Sequence, residues 1–249
     1  MGKNGDGKLP ELGVSTTDHI SSVVKAVAGA APFIGSLLSE VAGIIIPNQR
    51  LDRLAKFAGK LEDKLSKLDQ EFVRSKLTDE NFTDLLEEGV RQAARSLSQD
   101  RREYIASIIA TGLTAEDVEF MESKHLLRIL GEVNDVEVII LRFYLVPSIA
   151  GDEEFREKHK DILHPEPVHV GASQSVADKS TLHHSYCEHL VSLGLLKRRY
   201  RTDMQTKQPE FDTFTGGLKT SGYVIEAWGR LLLRHIGLAT QPGSRDYGP

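Results

Sequence analysis

Between residues 51 and 97 the apolar positions fall at helical spacing. From Leu51 through Leu54, Ala58, Leu61, Leu65, Leu68 and Phe72 the intervals alternate 3 and 4, a seam of period 3.5 sustained for about three heptads. This predicts a heptad helix over 50–77, with Arg53, Lys56, Lys60, Glu62, Asp63, Lys64, Lys67 and Asp69 on its solvated faces. Such a seam needs a partner. Either a second copy of the chain or the next helix can supply it, since Phe82, Leu85, Leu86, Val90, Ala93, Ala94 and Leu97 repeat at helical spacing behind a cap at Asp79. An antiparallel hairpin costs less ordering entropy than association, so the pairing is expected inside the chain, with dimerisation as an addition. A further helix is expected from Gln99 to Ala110, with Tyr104, Ile105, Ile108 and Ile109 inward and Gly112 as its stop. Thr114-Ala-Glu-Asp then opens another that runs to about Leu130.

Ahead of these helices lies VVKAVAGAAPFIGSLLSEVAGIII, residues 23–46, rich in small and apolar side chains. Lys25 and Glu40 bracket fourteen uncharged positions, fewer than the roughly 18 that a spanning helix needs. Pro32 between Gly29 and Gly35 divides the run into two short helices, and Pro47-Asn48 ends the second. The small residues allow close helix approach, in a buried hairpin as well as in a membrane. Both readings stand, and under either one Phe33, Ile34, Leu37, Leu38, Ile44, Ile45 and Ile46 are the side chains that would face a partner or lipid.

After residue 131 the texture changes. A helix VNDVEVIILRFYLV precedes a polar insert at 147–173, a second helix STLHHSYCEHLVSLGLL follows, and KRRYR then reads as a strand. A second strand is expected over Gly217 to Tyr223, merging into a final helix over Val224 to Ile236. In Leu190-Val-Ser-Leu-Gly-Leu-Leu196 the leucines anchor a helix end, Gly194 turns the chain, and the strand begins at once. Through this motif, with Leu218-Lys-Thr-Ser-Gly222 and Gly229-Arg-Leu-Leu-Leu233, about 100 residues resemble winged-helix modules. In the order of its parts the whole chain also looks like the Abi-alpha type of bacterial proteins linked to abortive phage infection, from which it departs by the long insert at 147–173. That resemblance implies a defence role. The expected fold is thus mainly α: a flexible tail (1–16), a helical bundle with coiled-coil character (17–130) that includes the N-terminal helical hairpin, a winged-helix α+β module (131–240), and a second flexible tail (241–249).

Charge sharpens this picture at one place. The chain carries 31 Lys+Arg against 36 Asp+Glu, but residues 197–249 hold nine basic and five acidic side chains, against five and eleven over 131–196. Lys197, Arg198, Arg199, Arg201 and Lys207 are accordingly the candidates for an anion or DNA backbone. The helix before them offers His183, His184, Ser185, Glu188 and His189, with no Arg or Asn fork for a base edge. Arg91, Arg95, Arg101 and Arg102 stand among Glu87, Glu88, Asp100 and Glu103 and read as solvated faces. The single cysteine, Cys187, excludes an intrachain disulfide. With His183 at i, i+4 it could hold zinc only if the insert supplied a third ligand, such as His164 or His169, and the spacing matches no standard zinc pattern. No phosphate loop, nucleophile elbow or HExxH occurs. The chain therefore reads as a non-enzymatic interaction or effector protein without a cofactor, metal or identified small-molecule substrate; the alternative is a dimeric winged-helix transcriptional regulator. A polar, Gly-rich start without a secretory pattern adds the expectation of a cytoplasmic protein that visits the membrane surface on activation.

Overall fold

The computed structural model describes residues 35, 50–76, 79–114, 117–146, 152–169, 171–206, 208–212 and 216–239. The hairpin candidates Phe33, Ile34, Leu37, Leu38, Ile44, Ile45 and Ile46, both predicted tails, and Lys207 lie outside the described residues. The architecture is mainly helical, with one small antiparallel sheet near the C-terminus. The chain divides into two compact units at Leu97/Ser98. The helices over 99–130 therefore group with the C-terminal module, ahead of the boundary expected near residue 130.

In the first unit α1 (Leu51–Leu65) packs along α3 (Glu80–Arg95), with the short α2 (Gln70–Lys76) between them in sequence. Asp79 caps α3 as expected, its carboxylate accepting from the Phe82 N–H at 3.1 Å. Leu54, Phe57, Ala58, Leu61 and Leu65 are fully buried. Phe57 broadens the stripe from a heptad seam to the wider apolar face of a globular helix. Phe82, Leu85, Leu86, Val90, Ala93 and Ala94 on α3 are buried as well, but Leu97 is exposed beyond the helix end. The heptad helix does not run unbroken over 50–77. It stops at Leu65, and Asp69 restarts the chain by accepting from the Phe72 N–H at 2.8 Å. The Gln70 amide donates to carbonyls at the break, to that of Leu68 at 3.0 Å and, at longer range, to those of Ser66 and Leu65, the last of which also accepts the Leu68 N–H. The restart turns Val73 inward and leaves Phe72 exposed, so the last expected seam position is on the surface.

The second unit begins with α4 (Gln99–Thr114) against α5 (Asp117–Glu132). Gly112 does not end α4: it is buried within the helix, which continues to Thr114. Arg101 and Arg102 are not solvated. Arg102 is buried, and the Arg101 guanidinium donates to the carbonyls of Leu130 and Val133 and, at 2.8 Å, to Asp135, holding the end of α5 against the start of α6 (Asp135–Phe143). These are carbonyls that a helix end cannot satisfy by itself.

Within the insert, α7 (Glu153–Lys158) and α8 (Lys160–Leu163) dock through Phe155 and Leu163, and α8 packs on α6. The Arg142 guanidinium lies 4.1 Å from the Phe155 ring centre and that of Arg156 lies 4.5 Å from the Phe143 ring centre. These reciprocal cation–π contacts attach a segment that reads as polar from its composition. Next, α9 (Gln174–Ser192) starts two turns before the motif that predicted it, capped by Ser173. Gly194 at φ +70 turns the chain into β1 (Leu196–Tyr200), which pairs antiparallel with β2 (Thr220–Ile225) in the register Leu196 opposite Ile225 and Arg198 opposite Tyr223. The last helix, α10 (Ala227–His235), packs on α4.

Gly229 marks a close approach of α10 to the strand start. A Cβ there would lie 2.4 Å from the Leu195 carbonyl oxygen and 2.9 Å from Ile225 Cγ1, and backbone of this kind cannot yield as a flexible side chain would. Gly229→Ala should destabilise the unit by about 2–3 kcal/mol or more through overpacking. Gly194→Ala, in open space but at positive φ, should cost about 1–2 kcal/mol. Urea unfolding followed by the fluorescence of Trp228, the sole tryptophan, compares the two; equal losses would mean that α10 does not approach Leu195 this closely.

Candidate interaction surface

The β1–β2 ribbon has two chemically different faces, and alternation along the strands assigns each residue to one of them. Leu196 and Ile225 are buried on the inner face, where β1 meets α9. Arg198 and Tyr223 follow on that face and both reach Glu188 on α9. The guanidinium forms a fork on the carboxylate, with Nε at 3.0 Å from Oε1 and Nη2 on Oε2, and the tyrosine hydroxyl donates to Oε1 at 2.9 Å. The Arg198 guanidinium, followed by burial and the Tyr223 hydroxyl, sets the Glu188 titration, and the net effect holds its carboxyl below the usual carboxylate range. Burial and the Glu188 carboxylate push the Tyr223 phenol up.

The outer face carries Lys197 opposite Val224 and Arg199 opposite Gly222, with all three side chains exposed. Between Arg199 and Tyr200 the register slips by one residue, leaving Ser221 unpaired in the ladder. Its hydroxyl donates to the Arg199 carbonyl at 3.0 Å and accepts from Arg199 Nε at 3.3 Å. Past the bulge the ribbon continues into two successive turns, closed by the bridges Thr202–Pro209 and Phe211–Leu218. The Arg201 N–H donates to the Lys219 carbonyl at 2.8 Å, and the Arg201 carbonyl accepts from the Glu210 N–H at 2.9 Å. Asp203 closes the first turn by accepting from the N–H groups of Gln205 and Thr206, which hold its carboxyl below the usual range.

Of the five basic candidates, Lys197, Arg199 and Arg201 are exposed with no carboxylate partner among the described residues. Arg198 is committed to Glu188 and drops out as a free phosphate contact. Sequence reasoning did not pick out the apolar side chains set among these cations: Tyr200, Met204, Phe211, Leu218 and Val224 are all exposed. The alternation of KRRYR hints at Tyr200, but the position of Phe211 depends on the bridge between Phe211 and Leu218, which local sequence does not reveal.

The side chains of α9 that could have read bases are largely engaged inside the unit. Glu188 holds the ribbon, and His189 Nδ1 lies 2.7 Å from Oε1 of the buried Glu137 on α6. The other oxygen of Glu137 accepts from the Asn134 N–H, completing a capping box at the start of α6. His184 lies 3.4 Å from the Tyr223 hydroxyl, and Ser185 is exposed. Cys187 is fully buried, 3.9 Å from His183 Nδ1. Burial, with the Glu188 charge, pushes its thiol up to about 11, and burial pushes the His183 imidazole down. An unreactive, protonated thiol is the result. Among the described residues no group of three or more His, Cys, Asp or Glu side chains is placed to hold a metal ion, and no helix is long and apolar enough to cross a membrane. Compared with protein-family models, curated proteins and solved structures, the chain matches none.

A carboxyl held below its unfolded value stabilises the fold at pH above that value, and the contribution fades as pH falls through the folded one. Glu188→Gln should therefore lower the urea midpoint at pH 7, and its deficit against wild type should shrink as pH drops below the ordinary carboxylate range of about 4–4.5. Trp228 fluorescence at neutral and acid pH measures this. An equal deficit at both would assign the effect to packing instead of charge.

Proposed function

We propose that this is a non-enzymatic interaction protein whose C-terminal unit acts as a winged-helix type module and grips an anionic polymer, a nucleic acid backbone, through the outer face of its ribbon. The observation that carries this reading is the set of exposed cations Lys197, Arg199 and Arg201, without carboxylate partners among the described residues; exposed Tyr200, which alternation puts on the face of Arg198, and exposed Phe211 on the turns add aromatic surface at the end of the ribbon. Guanidinium and ammonium groups supply phosphate contacts, and aromatic faces supply stacking that tolerates any base. Engagement of Glu188 and His189 within the unit favours sequence-independent contact over direct reading by α9. With Leu54, Leu61 and Leu65 buried inside the chain, this reading needs no dimer seam.

Three phosphate contacts give a slope of roughly −2.7 in log affinity against log salt on duplex DNA and roughly −2.1 on a single strand, so between ~50 and ~200 mM salt binding should weaken about forty-fold and about twenty-fold respectively. Fluorescence anisotropy checks this. Joint substitution K197Q, R199Q and R201Q should remove the binding, and salt-independent binding, or binding unchanged by the substitutions, would overturn the proposal.

A second reading rests on the small-residue apolar run Val23–Ile46. On this reading the protein is a cytoplasmic bacterial effector, with the phage-defence role that the Abi-alpha resemblance implies, whose N-terminal segment meets lipid or a protein partner once a trigger releases it. The full chain should then float with liposomes of anionic lipid under activating conditions, and a chain lacking residues 1–47 should not. Toxicity on expression in bacteria should be lost with Gly35→Glu or Ile45→Asp. Absence of lipid association under every condition would remove the membrane part.

A further inference from the structure

A cleft of about 520 Å³ opens in the second unit between the end of α6 and α10, away from the ribbon. Its size falls in the range of small-molecule pockets, about 300–1,000 Å³. Three guanidiniums line it, those of Arg142, Arg230 and Arg234, against the single carboxylate of Asp152. Arg230 and Arg234 stand at i, i+4 on α10, both are exposed, and neither has a side-chain partner among the described residues. Arg142 is fixed in place. Its Nη2 donates to both oxygens of Asp152 at 2.9 and 3.1 Å, and its guanidinium rests on the Phe155 ring. Those bonds leave Nη1 and Nε of Arg142 without an acceptor among the described residues. The remaining wall is apolar, formed by Leu145, Val146 and Leu238.

We infer that this cleft binds a small amphipathic anion, a carboxylate or phosphate head carrying a short aliphatic tail. The two arginines of α10 and the braced Arg142 suit the head, because guanidiniums donate in a planar fork that matches both oxyanions. A free inorganic anion would leave the apolar wall in water, whereas a tail along Leu145, Val146 and Leu238 buries it. Asp152 lowers the net positive charge and keeps Arg142 aimed, which favours a singly or doubly charged head over a polyanion. This site neither requires nor is required by the ribbon reading.

Isothermal titration of the full chain with octanoate, octyl phosphate, inorganic phosphate and octanol tests the assignment. One saturable site for octanoate or octyl phosphate is expected, with phosphate and octanol at least about tenfold weaker, since each lacks one half of the recognition. Which of the two amphiphiles binds more tightly identifies the head. Arg230→Gln with Arg234→Gln, both exposed, should weaken binding about tenfold or more. Arg199→Gln with Arg201→Gln on the ribbon should leave it unchanged. The proposal is overturned by a lack of saturation with either amphiphile, by inorganic phosphate binding as tightly as octyl phosphate, or by undiminished binding in the α10 double variant.

Discussion

The candidate surface depends on one carboxylate. Glu188 receives the Arg198 fork and the Tyr223 hydroxyl together, so one residue of each strand is tied to α9. Because strand side chains alternate between faces, tying Arg198 inward beside Leu196 obliges Lys197 and Arg199 to point outward. A register one residue different would expose Leu196 and turn both Lys197 and Arg199 onto the inner face, two cations against the single carboxylate of Glu188, at a desolvation cost that disfavours it. The outward basic face follows from the inward ion pair.

Comparable devices hold the rest of the second unit at its helix junctions. Arg101 satisfies carbonyls at the end of α5 while pairing with Asp135 at the start of α6, and Glu137 caps that same helix start while meeting His189 of α9. Buried charge is tolerated at these points because the groups are multiply bonded. Short helices with little apolar area are held similarly: α7 carries Phe155 beneath Arg142, and Asp152 at its start fixes the same guanidinium. The arginine that attaches the insert thereby becomes a wall of the neighbouring cleft, which links the docking of this segment to the shape of the second candidate site.

Much of the molecule was legible in its amino-acid order, for local reasons. The stripe on α3 and its Asp79 cap, the Leu190–Leu196 helix end with Gly194 at positive φ, and the basic strand after it all depend on residues within a few positions of one another. Periodicity and turn chemistry determine such features whatever packs on them. Where local signals conflicted, periodicity alone misled: side-chain bonds of Asp69 and Gln70 to nearby backbone broke a heptad pattern that ran on through them, and Gly112, a usual stop, is buried inside a helix that continues past it. Only tertiary structure could show that Arg198 is occupied while Lys197 and Arg199 are not, since Glu188 and Tyr223 lie 10 and 25 residues away along the chain. The arginine cleft is likewise assembled from α6, the insert and α10, segments whose separation in sequence leaves no spacing to read, and only the packing of the unit brings their guanidiniums around one volume.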